Sequence, residues 1–251
     1  MNDARNPVKS VQTSLEIVET IKEHDEIGVT ELAEEVGLTK GTVHCHLATL
    51  ENDGYVVNTN GRYRLGLRFV DIAHHVRRRV PIYDIVTEEV EKLAEKSGEL
   101  TLFTVEEQRE GVCLYKASGE NAVQTELYVG YRNELHHTAV GKAILAFKSQ
   151  EEIDEILAGM DLQSLTDETI TDERELREEL EEIRKRGLAY NRGETIPGLV
   201  GVGAPIRDHD DDVHGAIAII GPTSRMNDRL DEFSEMLNHA VNVIEINATS
   251  L

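Results

Sequence analysis

Asn60-Gly61 is the pair of residues that most restricts how this chain can fold. Tyr55-Val56-Val57 precedes it and Arg62-Tyr63-Arg64-Leu65 follows, so it predicts a two-residue hairpin, whose turn demands the positive φ that both residues accept. Three helical patterns lie upstream. Val8, Val11, Leu15, Val18 and Ile21 recur at spacings of three and four, one face of a helix running to about His24. Thr30 is a candidate N-cap for a short helix ending at Val36, with Leu32, Ala33 and Val36 inward and Gly37 closing it. Thr39 caps a third helix, Lys40 to about Asn52, whose buried line is Val43, Leu47 and Leu50. Three helices and a hairpin in this order predict a winged helix-turn-helix.

The remainder alternates. Leu67 to Val80 reads as a helix with Phe69, Ile72, Ala73 and Val76 on one side, and Ile82 to Lys96 as a second that stops at Ser97-Gly98. Strands are expected over 100–106, 112–117, 126–130, 189–191, 199–206 and 216–220, with helices over 139–147, 150–158, 172–186 and 228–248. The fold class is therefore α+β, one antiparallel sheet covered by helices behind the winged domain. The domains are expected at 1–66 and 81–251, joined by a linker helix at 67–80. No run approaches 18 apolar residues and the start MNDARNPVKSVQTS lacks a signal-peptide core, which predicts a cytoplasmic protein without a membrane partner. Two cysteines cannot make a disulfide framework.

Residues 26–66, EIGVTELAEEVGLTKGTVHCHLATLENDGYVVNTNGRYRLG, resemble the DNA-binding half of the IclR family of transcription regulators. The resemblance continues through HHTAVGKAILAF at 136–147, RGLAYNRGETIPG at 186–198 and GAIAIIGPTSR at 215–225. It implies a GAF-like effector-binding fold in the second half and a regulator that binds double-stranded operator DNA as a homo-oligomer, a dimer or a dimer of dimers. The alternative is a ligand-sensing or protein-interaction module without operator binding. No GxSxG, HExxH or phosphate loop occurs, and Ser224 and Lys142 have no adjacent base in a motif, so no enzyme is expected.

On a helical wheel with Val43 at zero, the arc opposite the core carries Gly41, Cys45 and Ala48, flanked by Thr42, His44 and Thr49. Thr39 and Lys40 stand at the end that meets phosphate, Thr42, His44 and Thr49 can reach base edges, and Arg62 and Arg64 on the wing can reach phosphate or the minor groove. The arc is small and poor in hydrogen-bonding groups, which favours shape readout. Where many relatives place an Arg, this chain has Cys45.

Six glycines lie between 193 and 221. On the strand 199–206 the odd positions Gly201, Gly203 and Pro205 leave one face nearly empty, which is room for a ligand or for close packing. The helix start at Ala139, Val140 and Gly141 offers free amides to an oxygen-rich group. The resemblance implies that this helix start binds the effector, together with an acidic residue near Asn191, a cysteine near Gly201 and two serines in the strand before the Gly-Pro pair. This chain has Asn191, Gly201, Ala218 and Ile220 at those places, with Gly203 and Glu194 close by. A small-molecule effector is therefore expected, an organic acid, a sugar-derived compound or a more apolar metabolite, in an enlarged and less polar site.

His44-Cys45-His46, His74-His75 and His136-His137 suggest metal ligands. Adjacent helical positions diverge by about 100° and no companion ligand has zinc-site spacing, so neither a metal nor a cofactor is expected.

The formal charge of −22 is uneven. Residues 1–80 hold 10 basic and 12 acidic side chains, 81–251 hold 16 and 36, and 39–80 alone carry 7 basic against 3 acidic. With 17 Arg, 9 Lys and 48 Asp+Glu, the surface resembles that of proteins from halophilic archaea, the alternative being an acidic mesophilic regulator. Self-repulsion in the acidic part should be relieved as the Debye length shrinks to about 3 Å at molar salt. The melting temperature is expected to climb with KCl, and equal stability at about 0.1 and 2 M would contradict this origin for the charge.

Overall fold

The computed structural model describes residues 6–248; the first five and last three positions of the expected domains lie outside it. The chain divides into two compact units between Arg79 and Val80.

In the first unit, α1 (Lys9–His24) leads into β1 (Ile27–Gly28), α2 (Val29–Glu35) and α3 (Lys40–Asn52). The hairpin β2 (Val56–Thr59) and β3 (Arg62–Leu65) follows, and then α4 (Arg68–Arg77). The hairpin closes at Asn60 and Gly61, with φ of 54° and 84°, and the Gly61 N–H donates to Asn58 Oδ1. Two local expectations change. β1 pairs with β3 through Ile27 opposite Tyr63, giving a three-stranded sheet in the order β1-β3-β2. That pairing holds Gly28 extended at the N-cap position, so α2 starts at Val29 and Thr30 lies inside it.

The core of this unit comprises Ile17, Ile21, Ile27, Leu32, Val43, Leu47, Val56 and Tyr63. The stripe read along α1 is only partly in it: Val8, Val11 and Leu15 are exposed, at 61%, 54% and 61%. In α4 no residue is buried, and Val70, Ile72 and Val76 face solvent. The start of α4 is nevertheless fixed. Arg68 donates to the Asp53 carbonyl and lies over the Tyr55 ring, against which Phe69 packs edge-on.

The second unit runs α5 (Tyr83–Ser97), β4 (Leu100–Glu107), β5 (Glu110–Ser118), β6 (Arg132–Glu134), α6 (Ala139–Ala146), α7 (Gln150–Leu157) and α8 (Glu173–Arg186). It continues through β7 (Ala189–Arg192), β8 (Leu199–Arg207), β9 (Val213–Pro222), a single turn α9 (Thr223–Met226) and α10 (Leu230–Ala248). Its six strands form one antiparallel sheet in the order β6-β5-β4-β9-β8-β7. Period-two alternation divides the core. Phe103, Val202, Ala204, Ile217 and Ile219 pack with residues of α5 and α10, whereas Leu102, Ala216 and Ala218 pack with α6, α7 and α8.

The strand expected at 126–130 is instead a loop. Gly130 has φ 96°, and its N–H and the Tyr131 carbonyl bond to Cys113 one after the other, so regular pairing with β5 starts only at Arg132. Among the described residues, no helix is long and apolar enough to cross a membrane.

Candidate nucleic-acid interface and ligand cavity

Helix α3 begins where Thr39 accepts the N–H of Thr42 at 3.2 Å, a side-chain cap that leaves the first turn facing out. Lys40, Gly41, Thr42, His44, Cys45, Ala48 and Thr49 are all exposed, while Val43 and Leu47 are fully buried. A Cβ on Gly41 would meet only the Thr39 hydroxyl at 3.9 Å, so its lack of a side chain serves no internal packing and leaves room for an incoming surface. Two hydroxyls of the arc are already engaged: Thr49 donates to the Cys45 carbonyl, and Thr42 Oγ1 lies 2.9 Å from Thr39 Oγ1. His46 turns inward to Ser14 of α1, with Nδ1 2.8 Å from Oγ.

The wing arginines differ. Arg62 and Arg64 share one face of β3, opposite the buried Tyr63. Arg62 donates to the Glu26 carbonyl at 2.6 Å, and Arg64 is exposed with no partner among the described residues.

In the second unit a cavity of about 920 Å³ opens between the sheet and the first turn of α6. Leu100 and Leu102 of β4, Gly201 of β8, Ala218 and Ile220 of β9, and Ala139 and Val140 of α6 contribute to its wall. Asn191 also lines it, but its amide is committed to the protein. Nδ2 donates to the His137 carbonyl and to Thr195 Oγ1, and Oδ1 accepts the N–H groups of Gly193 and Glu194.

Three of the residues named from sequence lie beside the cavity without lining it. A Cβ on Gly203 would come within 2.8 Å of the Ala139 carbonyl carbon, and one on Gly141 would collide with the Leu135 carbonyl oxygen. These glycines let β8 and the chain before α6 reach the helix backbone. Glu194 turns away to Lys142, with Nζ 2.5 Å from Oε1 and both residues buried. Burial pushes the Glu194 carboxyl above the usual carboxylate range, against the downward pull of the Lys142 ammonium.

The odd-numbered strip of β8 thus does both things that its emptiness allowed. Gly201 opens onto the cavity, its Cβ position in ordinary contact with Ile220, Ala139 and Asn191, and Gly203 packs. Sequence reasoning missed Leu100, Leu102, Thr104, Cys113 and Tyr131, which line the cavity from β4, β5 and the loop before β6. Alternation along β4 already put Leu100, Leu102 and Thr104 on one face; which face met α6 depended on pairing with β9. Burial raises the Cys113 thiol to about 11, so it meets a ligand as a neutral group.

Residues 10–59 match the model of the IclR helix-turn-helix domain, and residues 74–246 match that of the bacterial transcriptional regulator IclR C-terminal domain. The chain belongs to the IclR family of transcriptional regulators. An IclR relative described as "Probable HTH-type transcriptional regulator ArcR", from Halobacterium salinarum, is 33% identical over 95% of this chain and 93% of its own. The crystal structure of Thermotoga maritima IclR has a TM-score of 0.84 at 30% identity, covering 96% of this chain and 98% of that one. An IclR homologue of Microbacterium hydrocarbonoxydans, solved in complex with 4-hydroxybenzoate, shares the fold with a TM-score of 0.82 at 22% identity, over 95% and 100% of the two chains. This IclR chain is accordingly a transcription regulator with a DNA-binding helix-turn-helix domain and a C-terminal effector-binding domain.

The buried pair makes a sharp expectation for this IclR domain. Glu194→Ala should cost about 3–5 kcal/mol by leaving the Lys142 charge unmatched, while Lys142→Met with Glu194→Leu should restore most of that loss in urea unfolding. A single substitution costing under about 1 kcal/mol would mean that the pair is effectively solvated.

Proposed function

We propose that this regulator grips operator DNA with the exposed arc of α3 and the wing of β3, as a homo-oligomer. A small metabolite carrying an oxygen-rich head on an apolar body then sets its affinity for DNA from the cavity at α6. One observation carries the ligand reading. Among the described residues the N–H groups of Ala139 and Val140 have no acceptor, and both residues line the cavity. Thr138 caps only the Gly141 N–H, at 2.9 Å. Two unmatched amides at a helix start favour a carboxylate or similar group. Thr125 Oγ1, buried without a protein partner, offers a further hydrogen bond from the cavity wall. The leucines and Ile220 opposite suit an apolar body rather than a second polar end. An organic acid larger than a two- or three-carbon keto acid fits this wall, and the 4-hydroxybenzoate held by a family member is a compound of that kind.

Pairing is supported by the apolar residues that neither α1 nor α4 buries. Val8 at the start of one helix with Val11 and Leu15 along it, and Val70, Ile72 and Val76 on the other, are stripes of a kind that association removes from water. A second winged domain doubles the contacts along the duplex. Cytoplasmic placement follows from a partner that is DNA.

Replacing Lys40 and Arg64 by Ala should weaken binding to every sequence and lower the slope of log K against log salt by about 0.9 for each phosphate no longer neutralised. Thr42→Ala should instead change preference between operators. Unchanged affinity in the double variant, measured by gel shift on the upstream region of its own gene, would place the DNA contacts elsewhere, and no shift by the wild-type protein would favour a sensing module without operator binding.

For the cavity, Gly201→Leu should fill the space between β8 and α6. It should abolish the thermal shift given by a panel of aromatic and aliphatic carboxylic acids while operator binding persists. Overpacking costs about 1–3 kcal/mol, so urea unfolding is measured alongside. A folded Gly201→Leu protein with its ligand response intact would place the effector elsewhere.

A further inference from the structure

From Glu134, the last residue of β6, the chain turns through Leu135, His136 and His137 towards α6. Glu134 and the two histidines hold polar groups that neither the DNA-facing surface nor the cavity wall uses. The two imidazoles are buried, at 0% and 4% exposure, and meet edge to face with ring centroids 4.7 Å apart. His136 Nε2 lies 3.3 Å from the Gln163 carbonyl, an oxygen that can only accept. The proton of a neutral His136 is therefore on Nε2, and a lone pair is on Nδ1. Nδ1 faces Glu134 Oε2 at 3.3 Å, so the lone pair of a buried imidazole and the oxygen of a partly exposed carboxylate point at one another. A cation between them turns this repulsion into attraction. His137 Nδ1 is likewise buried without a hydrogen-bond partner. One ligand atom from each of Glu134, His136 and His137 lies within 4.8 Å of the other two.

We propose that Glu134, His136 and His137 bind one divalent transition-metal ion of the Zn²⁺ class. Two imidazole nitrogens and one carboxylate oxygen suit Zn²⁺, Co²⁺ or Ni²⁺ better than Mg²⁺ or Ca²⁺, which take oxygen alone. The Gln163 carbonyl plays the part that a backbone oxygen commonly plays behind a metal-bound histidine, fixing the tautomer and the ring. Burial holds both imidazoles neutral, with His137 lowered to about 4, and the neutral ring is the form that ligates. Desolvation raises the Glu134 carboxyl, and the neighbouring Asp161 and Glu110 raise it further, an anionic field that favours a cation. Lys142 opposes it, but its ammonium is matched by Glu194. The Glu134 side chain is 34% exposed and gives the ion its way in.

The sequence pattern argued against this site because adjacent helical residues diverge. His136 and His137 lie in a turn ahead of α6, where that geometry does not apply, and the third ligand is two residues before the pair. The ion would also brace the ligand cavity, since the His137 carbonyl accepts from Asn191 and Thr195 and the next two residues carry the cap and first amide of α6.

The test uses the full chain, stripped with a chelator, desalted, and titrated with Zn²⁺ or Co²⁺ alone. One Zn²⁺ per chain is expected by mass spectrometry, with a Co²⁺ ligand-field spectrum of low coordination number. Saturating Zn²⁺ should raise the melting temperature by on the order of 5 °C. Glu134→Gln, at a partly exposed position, should keep the fold by circular dichroism and lose both signals, and His137→Asn should do the same. Asp208→Asn with His209→Asn, which alters a separate exposed group of acidic and histidine side chains, should leave them intact. Wild type that retains no Zn²⁺ and gives no Co²⁺ spectrum overturns the proposal and leaves Glu134 and His136 sharing a proton. Binding that survives in Glu134→Gln and His137→Asn, or disappears in the Asp208/His209 variant, overturns it too, since the ion then sits elsewhere.

Discussion

The first turn of α6 rests on the bare backbone of β8, and the ligand-binding half of the molecule is arranged around that contact. Gly203 permits it, because a Cβ there would sit 2.8–3.1 Å from the backbone of Ala139 and Val140. Gly141 permits the matching approach of Leu135 from the other side. With the helix held this close, the first two amides of α6 stand at the cavity wall, and Thr138 can cap only the third. One turn along, Lys142 is carried into the interior, where an uncompensated ammonium would be costly. Glu194 supplies the compensation, and the loop that presents Glu194 is bent into place by the four hydrogen bonds of Asn191. A polar network that looks from its residue types like a binding site is in this region mostly the support for one.

That distinction explains where the sequence was a good guide. Short-range rules located the hairpin at Asn60-Gly61, the cap at Thr39 and the outward arc of α3, because each depends on residues within one turn of each other. The same rules placed free amides at Ala139, Val140 and Gly141, of which Thr138 takes up the third. They could not assign Glu194, whose partner lies 52 residues away, nor divide Gly201 from Gly203, since both break the same face of the same strand. The β4 residues at the cavity were legible as a face and not as a wall. The strand expected at 126–130 failed because its apolar residues Leu127, Tyr128 and Val129 describe a surface loop ending in a left-handed glycine.

Helices α1 and α4 show a different limit. Their apolar periodicity is real, yet periodicity reports only that a face avoids water and not which surface covers it. In α1 the core takes Ile17 and Ile21 and leaves Val8, Val11 and Leu15 outside, and in α4 the core takes nothing. A stripe that is too strong for the fold it belongs to is of the kind that association removes from water, which is the support for the pairing proposed above.

On the proposed pairing, charge makes association more consequential than in a basic DNA-binding protein. The surplus of four positive charges over 39–80 is set against an excess of twenty negative charges from 81 to 251, so long-range attraction to a duplex is weak from the start. Of the wing arginines, Arg62 is partly spent on the Glu26 carbonyl. The arc of α3 proposed to face DNA presents Gly41, Cys45 and Ala48 at its centre. Binding that releases few counterions has a shallow salt dependence and leaves each domain with less electrostatic affinity of its own. Two linked domains recover affinity through effective concentration rather than through charge, provided their spacing matches the operator. On that proposal, a ligand that alters how the two domains are held controls DNA binding without touching a single DNA contact, because its leverage is exerted on the linkage itself.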